Sequence, residues 1–125
     1  MRILLDTHIY LWWLEDSPQL SQAARTMIRE AETVYVSSAT LWEAVIKIGL
    51  GKLYADPAEL VSGIRESGFE PLPITPGHAL ALPWLANHHK DPFDRMLIAQ
   101  AISEPLRLIT MDGLLSAYSE LVIQV

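Results

Sequence analysis

The chain has 125 residues, half of them hydrophobic and none of them cysteine, which excludes a disordered segment, a thiolate zinc centre, a catalytic thiol and any disulfide framework. Nine basic residues against fifteen acidic ones leave a net charge of −6. That surplus speaks against a protein that grips duplex nucleic acid by neutralising many phosphates, but not against an enzyme acting on nucleic acid, because a metal in an acidic pocket reverses the local field.

The first apolar run, Ile3-Leu4-Leu5, predicts a strand over residues 2–6 that closes on Asp6. Helices are expected over 8–15 and 21–31, a strand over 33–36, helices over 40–49 and 57–67, and a strand over 70–74. A short helix over 77–87, a stronger one over 92–103, a strand over 107–110, a short helix over 113–118 and a last strand over 121–124 complete the chain. Gly49, Gly51 and Gly68 mark helix ends, and proline follows Asp56, Thr75 and Asp91 at helix starts. The β–α alternation implies an α/β domain with a mostly parallel sheet covered on both faces. Residues 1–125 read as one cooperative unit without linker or repeat, with helices 40–49 and 57–67 as a hairpin-like pair on one side. The opening apolar run is too short for a secretory leader, and no uncharged apolar stretch reaches the ~18 residues of a membrane span, so a soluble cytoplasmic protein is expected.

Four carboxylates, Asp6, Glu43, Asp94 and Asp112, fall where these elements begin or end. Asp6 closes the strand that is expected to be central, in the crevice where open α/β sheets bind ligands, although it or Thr7 can equally cap the following helix. Thr40-x-x-Glu43 spells a capping box and Glu43 to Lys47 an i, i+4 ion pair. Glu43 also shares a face with Ile46 and Leu50, which turns it toward the interior. Asp112, in Thr110-Met111-Asp112-Gly113, is either a turn residue or a second acid at the same end of the sheet.

Asp91-Pro92-Phe93-Asp94 carries an internal control. Asp91 at N-cap, Pro92 at N1 and Asp94 at N3 open a helix as capping alone would require, and Asp56-Pro57-Ala58-Glu59 opens another in the same way with nothing chemical around it. The faces beneath differ. Asp94 heads the apolar row Leu97, Ile98, Ala101 and Ile102, whereas Glu59 heads Ser62, Gly63 and Glu66. A carboxylate directed inward needs a cation or hydrogen-bond donors.

An all-oxygen ligand set favours Mg²⁺ or Mn²⁺, held by one or two carboxylates directly and by the others through water. Such a site suits phosphodiester hydrolysis. Competing schemes lack their parts: Ser37 and Ser38 have no flanking glycines of a nucleophile elbow, and Gly49-Leu50-Gly51-Lys52 has neither the spacing nor the final hydroxyl of a P-loop. His8 stands where an aspartyl-phosphate enzyme wants its second acid. His8, His78, His88 and His89 form no spaced ligand set, so exposed or locally hydrogen-bonded roles are expected, with His8 nearest the proposed pocket. Trp12 and Trp13 are adjacent on one helix and cannot face the same way, which leaves core packing or an interface with a second copy or a partner peptide open for one of them.

The order Leu4-Leu5-Asp6-Thr7-His8, Ser38-x-x-x-Trp42-Glu43, His89-Lys90-Asp91-Pro92-Phe93-Asp94-Arg95 with Leu97-Ile98-Ala99-Gln100-Ala101, and Thr110-x-Asp112 resembles the PIN-domain ribonucleases, and among them the VapC-type toxins of bacterial toxin–antitoxin pairs. The resemblance spans essentially the whole chain. It implies a three-layer α/β/α domain around a five-stranded, mostly parallel sheet, Mg²⁺ or Mn²⁺ dependence, endonucleolytic cleavage of RNA, homodimers and neutralisation by a cognate antitoxin. Carried over by position, it implies that Asp6, Glu43 and Asp94 form the central acidic set, with Asp112 as a more variable fourth member. Asp6 and Asp94 would bind the metal directly. Asp91 would cap its helix and assist, Thr7 and Thr110 would orient carboxylates or water, and Arg95 would pair with an acid or meet substrate phosphate. The rival reading from another class is a non-catalytic module whose acidic pocket binds a basic partner segment; a phosphatase or DNA nuclease is a third.

Overall fold

A computed structural model describes residues 1–88 and 90–125; His89, one of the histidines singled out above, lies outside the described residues. In chain order the elements are β1 (Arg2–Leu5), α1 (Thr7–Glu15), α2 (Gln22–Glu30), β2 (Thr33–Ser37), α3 (Ser38–Gly49), α4 (Pro57–Glu66) and β3 (Glu70–Leu72). They continue with α5 (Pro76–Ala81), a 3₁₀ turn at Leu82–Trp84, α6 (Pro92–Ser103), β4 (Arg107–Thr110), a 3₁₀ segment at Gly113–Tyr118 and β5 (Val122–Gln124).

The five strands lie in the order β3-β2-β1-β4-β5, every neighbouring pair parallel. β1 is therefore central, and the chain leaves it toward β2 on one side and returns as β4 on the other. Such a reversal opens a crevice beyond the carboxyl ends of the two strands, because their following connections diverge to opposite faces. Burial on both sides explains why β1 reads as a continuous apolar run: Ile3, Leu4 and Leu5 are all fully buried. Alternation sends Ile3 and Leu5 into a core shared with Ile9 and Tyr10 of α1 and Ala24 and Ile28 of α2. Leu4 joins the opposite core with Leu97, Ile98 and Ala101 of α6. These are the two helical layers of the expected α/β/α sandwich.

The helix pair α3 and α4 builds a third, smaller core against α1 from Leu11, Ala44 and Leu60. Gly63 is buried there: a Cβ at this position would stand 2.9 Å from Leu14 Cδ2 and 3.1 Å from the Tyr10 hydroxyl. Tyr10 in turn donates its hydroxyl to the Leu60 carbonyl at 2.7 Å. The row below Glu59 is thus a close helix contact at Gly63, not the uniformly polar face its spelling suggests.

Prolines account for the main departures from the expected elements. The helix expected over 77–87 stops at Ala81 and tightens into the 3₁₀ turn around Pro83, and the strand expected over 70–74 ends at Leu72 before Pro73. α5 is fastened to α6 by His78, which is buried. Its Nδ1 accepts the Thr75 amide at 3.0 Å, so its Nε2 carries the proton and donates to Glu104 at 2.5 Å. A histidine employed in this way is structural.

Candidate active site

Asp6 is the first residue beyond β1, and α1 begins immediately after it. Although it holds the N-cap position, its side chain makes no capping hydrogen bond. The carboxylate instead receives the Thr110 hydroxyl on Oδ2 at 2.5 Å, across from the end of β4, while its amide donates to the Ile109 carbonyl at 3.0 Å. Thr7 is not the alternative cap either: it is buried inside α1, and its hydroxyl meets that of Thr40 at 3.1 Å. Held in this way, the Asp6 carboxylate lines the crevice instead of closing the helix.

Burial pushes the Asp6 carboxyl above the ordinary carboxylate range. The Thr110 hydroxyl, the charge of His8 and the Thr7 amide oppose that rise, and the nearby Glu43 adds to it. A carboxylate whose charged form is disfavoured by burial and by a like neighbour gains most from a cation placed beside it.

Asp112 follows β4 at the same end of the sheet. Its amide is anchored by the Thr110 hydroxyl at 3.0 Å, and its Oδ1 caps the 3₁₀ segment by accepting the Leu114 amide at 2.9 Å. Thr110, fully buried, therefore holds both acids, donating to one and accepting from the backbone of the other. Asp6 and Asp112 line one open cleft of about 300 Å³ together with His8, Trp12 and Met111.

Glu43 and Asp94 lie on the flanking helices α3 and α6; neither lines the cleft of Asp6 and Asp112. Ser37 caps α3 through the Ala39 amide at 2.9 Å, so the helix starts at Ser38 and the capping box expected between Thr40 and Glu43 does not form. Glu43 is consequently one turn further in than a capping acid, and it is buried. Ile46 and Leu50, expected to share its inward face, are exposed; the buried face of α3 runs through Ala39, Thr40, Glu43 and Ala44. The expected ion pair is present, with Lys47 Nζ 3.0 Å from Glu43 Oε2. Asp94 sits in the first turn of α6, where Asp91 Oδ1 accepts the amides of Phe93 at 2.8 Å and Asp94 at 3.1 Å. Leu97, Ile98 and Ala101 beneath it are buried, while Ile102 is exposed. Phe93 and Trp42, the neighbours of Asp94 and Glu43, meet edge to face with centroids 5.0 Å apart, which ties the two acid-bearing helix starts together.

Arg95 holds backbone: it donates to the carbonyls of Ala86 at 3.0 Å and Leu82 at 3.3 Å and to the Tyr118 hydroxyl at 3.3 Å. It thus braces the segment before α6. Met111 and Trp12 were not legible as cleft residues, Trp12 because a helical tryptophan spells core or interface and Met111 because a loop methionine carries no signal of its own. His8, flagged by its nearness to Asp6, does line the cleft.

The donor chemistry suits a hard divalent cation, since the acids of the cleft, Asp6 and Asp112, offer carboxylate oxygens and Asp6 is a buried carboxylate whose charged form burial disfavours. Among the described residues no three carboxylate or imidazole side chains close on one point as a complete ligand cage. Mg²⁺ and Mn²⁺ chemistry does not require one, because such ions use one or two carboxylates and complete their shell with water.

The PIN domain family model matches residues 3–121. The chain is 29% identical over 123 residues to Ribonuclease VapC22 of Mycobacterium tuberculosis (strain ATCC 25618 / H37Rv), covering 93% of this chain and 91% of that protein. Its fold is shared by a chain of VapBC2 from Rickettsia felis, solved bound to a promoter DNA fragment (TM-score 0.70, 18% identity, 100% of this chain and 98% of that one). It is shared as well by a chain of a toxin-antitoxin complex from Klebsiella pneumoniae (TM-score 0.68, 20% identity, 98% and 96%).

Proposed function

This chain belongs to the PIN domain family, and from that premise we propose that residues 1–125 form a single metal-dependent endoribonuclease domain of the VapC type, the toxin of a toxin–antitoxin pair. The observation that carries the reading is Asp6: a buried carboxylate at the reversal point of the sheet, with no capping hydrogen bond and held by Thr110 so that it faces the crevice. The ribonuclease relative aligned over nearly the whole chain supports the activity.

In this proposal Asp6 and Asp94 would hold the cation, and Glu43 and Asp112 would orient the attacking water. A bound Mg²⁺ or Mn²⁺ would polarise the phosphoryl oxygen and make water a competent nucleophile at neutral pH. Thr110 fixes Asp6 and the Asp112 backbone, and Thr7 with Thr40 fixes the starts of α1 and α3 against each other. Asp91 holds the first turn of α6, and hence Asp94, in place. Glu43 or Asp112 takes the proton of the attacking water. Arg95 positions the segment before α6 through the carbonyls of Ala86 and Leu82, beside the acid that would meet the cation.

The substrate is RNA and the partner a cognate antitoxin that neutralises the acidic pocket with a basic side chain. A second copy of the chain is the further partner proposed, supported by the exposed apolar face of α3 at Trp42, Val45, Ile46 and Leu50. The proposed setting is the cytoplasm; no helix among the described residues is long and apolar enough to cross a membrane.

The test is a Mn²⁺ titration of the purified protein against a panel of single-stranded and structured RNAs, with DNA and small phosphoesters in parallel. Metal-dependent RNA cleavage that disappears in Asp6→Asn and in Asp94→Asn, with both variants folded, is the expected result. Undiminished cleavage by either variant, or partner binding indifferent to metal and to Asp94→Asn in a protein that cuts nothing, would sink it.

A further inference from the structure

α1 leaves the acidic crevice with an aromatic strip on its surface. His8 is exposed two residues after Asp6, and Trp12 lies one turn beyond it with ring centroids 5.7 Å apart at an interplanar angle of 41°. Met111, from the loop after β4, lines the same cleft. The cleft of about 300 Å³ between these groups has Asp6 and Asp112 as its remaining lining residues, so an apolar and aromatic wall continues directly from the proposed site of bond cleavage. We propose that this cleft receives the nucleobase next to the scissile phosphate, with Trp12 as its stacking platform, His8 extending that surface toward the phosphate and Met111 as an adaptable flank. The inference rests on the ribonuclease reading and adds to it the feature that holds substrate.

The division of labour between the adjacent tryptophans supports this role. Trp13 is engaged by the fold: its ring packs on Phe69 with centroids 5.5 Å apart, and its Nε1 donates to the Ser67 hydroxyl at 3.2 Å. Trp12, only partly buried, packs against the core beneath α1 and also lines the cleft. An indole presented beside carboxylates is of no use to the acids themselves, but it offers a π face to any base, with little dependence on which base it is.

Charge supplies an independent reason. Nucleic-acid affinity ordinarily comes from lysine and arginine on phosphates, and this chain has nine basic residues against fifteen acidic ones. Several are committed elsewhere: Arg25 to Asp16, Lys47 to Glu43 and Arg95 to backbone carbonyls. Arg2 and Arg107 begin β1 and β4, at the end of the sheet opposite the crevice. In so acidic a chain, stacking on an aromatic ring adds to substrate binding without requiring further basic residues. Methionine in the same cleft is suited to clasp rings of different size, being unbranched and polarisable.

The experiment is steady-state cleavage of a single-stranded RNA with one mapped cut site, together with versions of that RNA made abasic at the nucleotide on either side of the cut. Trp12→Leu is expected to raise KM about 10-fold or more, the scale of one lost base–aromatic stack, with kcat within a few-fold of wild type, while Trp12→Phe keeps most of the affinity. One of the two abasic RNAs should cost the wild type a similar factor and cost Trp12→Leu little more, because both changes remove the same contact. Met111→Ala, on an exposed loop residue that the fold does not need, gives a smaller rise in KM and keeps the test valid if Trp12→Leu is poorly folded. An unchanged KM in the folded tryptophan and methionine variants, or abasic penalties equal in wild type and Trp12→Phe and in Trp12→Leu, overturns the base subsite while leaving the nuclease standing. Wild-type protein that cleaves no RNA under any metal condition overturns the nuclease reading itself.

Discussion

Two helices of this protein open with the same spelling, Asp56-Pro57-Ala58-Glu59 on α4 and Asp91-Pro92-Phe93-Asp94 on α6, and the fold uses them differently. Both aspartates cap: Asp56 accepts the Ala58 amide at 2.9 Å, and Asp91 accepts those of Phe93 and Asp94 at 2.8 and 3.1 Å. Beyond that they part. α4 leads into the edge strand β3 and leaves Glu59 exposed, whereas α6 leads into β4, beside the central β1, and keeps Asp94 half-buried. Capping chemistry determines where a helix begins; lateral position in the sheet determines how far its first acid is buried. The surroundings of Asp56 are also less bare than the sequence suggests. A cleft of about 450 Å³ lies there, with Glu15, Asp56, Glu59 and Glu66 among its lining residues and Leu11, Leu14 and Leu60 on its floor.

The sharpest test of that comparison is the matched pair Asp94→Asn and Glu59→Gln. RNA cleavage is expected to fall at least 100-fold in the first, beyond the 10–100-fold typical of groups that only support metal ligands, and to be unchanged in the second. Equal losses would dissolve the distinction between the two helix starts.

Asp6, at a third helix start, extends the comparison because it holds the cap position without capping. Its folded-state carboxyl titrates above the ordinary range, mainly through burial. The sign follows: metal-free protein is most stable below the unfolded carboxyl range and loses stability as pH rises through the higher, folded value. Asp6→Asn, which has no charge to bury, is therefore expected to exceed wild type in Tm by about a few degrees at neutral pH in EDTA, with the gap closing toward acid. Thermal melts across pH check this, and a variant less stable than wild type at neutral pH would mean that the carboxylate is satisfied without a cation.

Smaller effects separate the caps themselves. Asp91→Ala should cost about 1 kcal/mol of stability and also slow cleavage, since it loosens the turn that carries Asp94. Asp56→Ala should cost about 0.5–1 kcal/mol, through its single amide, with cleavage intact. Denaturant melts and the cleavage assay on both variants would break the comparison if Asp56→Ala proved the more damaging to activity.

Much of this was legible in the order of residues. Ile3-Leu4-Leu5 and Leu108-Ile109 read as buried parallel strands and are, and α6 spans the expected 92–103. Misreadings arose where two local rules competed. Thr40-x-x-Glu43 spells a capping box, but Ser37 captured the helix start first. Ile46 and Leu50 share a helical face with Glu43 in projection, yet they are exposed while Glu43 is buried.

By itself the sequence determined strand identity, helix starts and the oxygen-only character of the acids, because these depend on residues within a few positions of one another. Only the tertiary structure decided which acid is released from capping and what walls the cleft beside it. Asp6 and the Thr110 that holds it are 104 positions apart, and Trp12 and Met111 come from opposite ends of the chain. Their meeting depends on β1 and β4 lying side by side at the point where the sheet reverses, a pairing set by the packing of the whole core and spelled by no local motif.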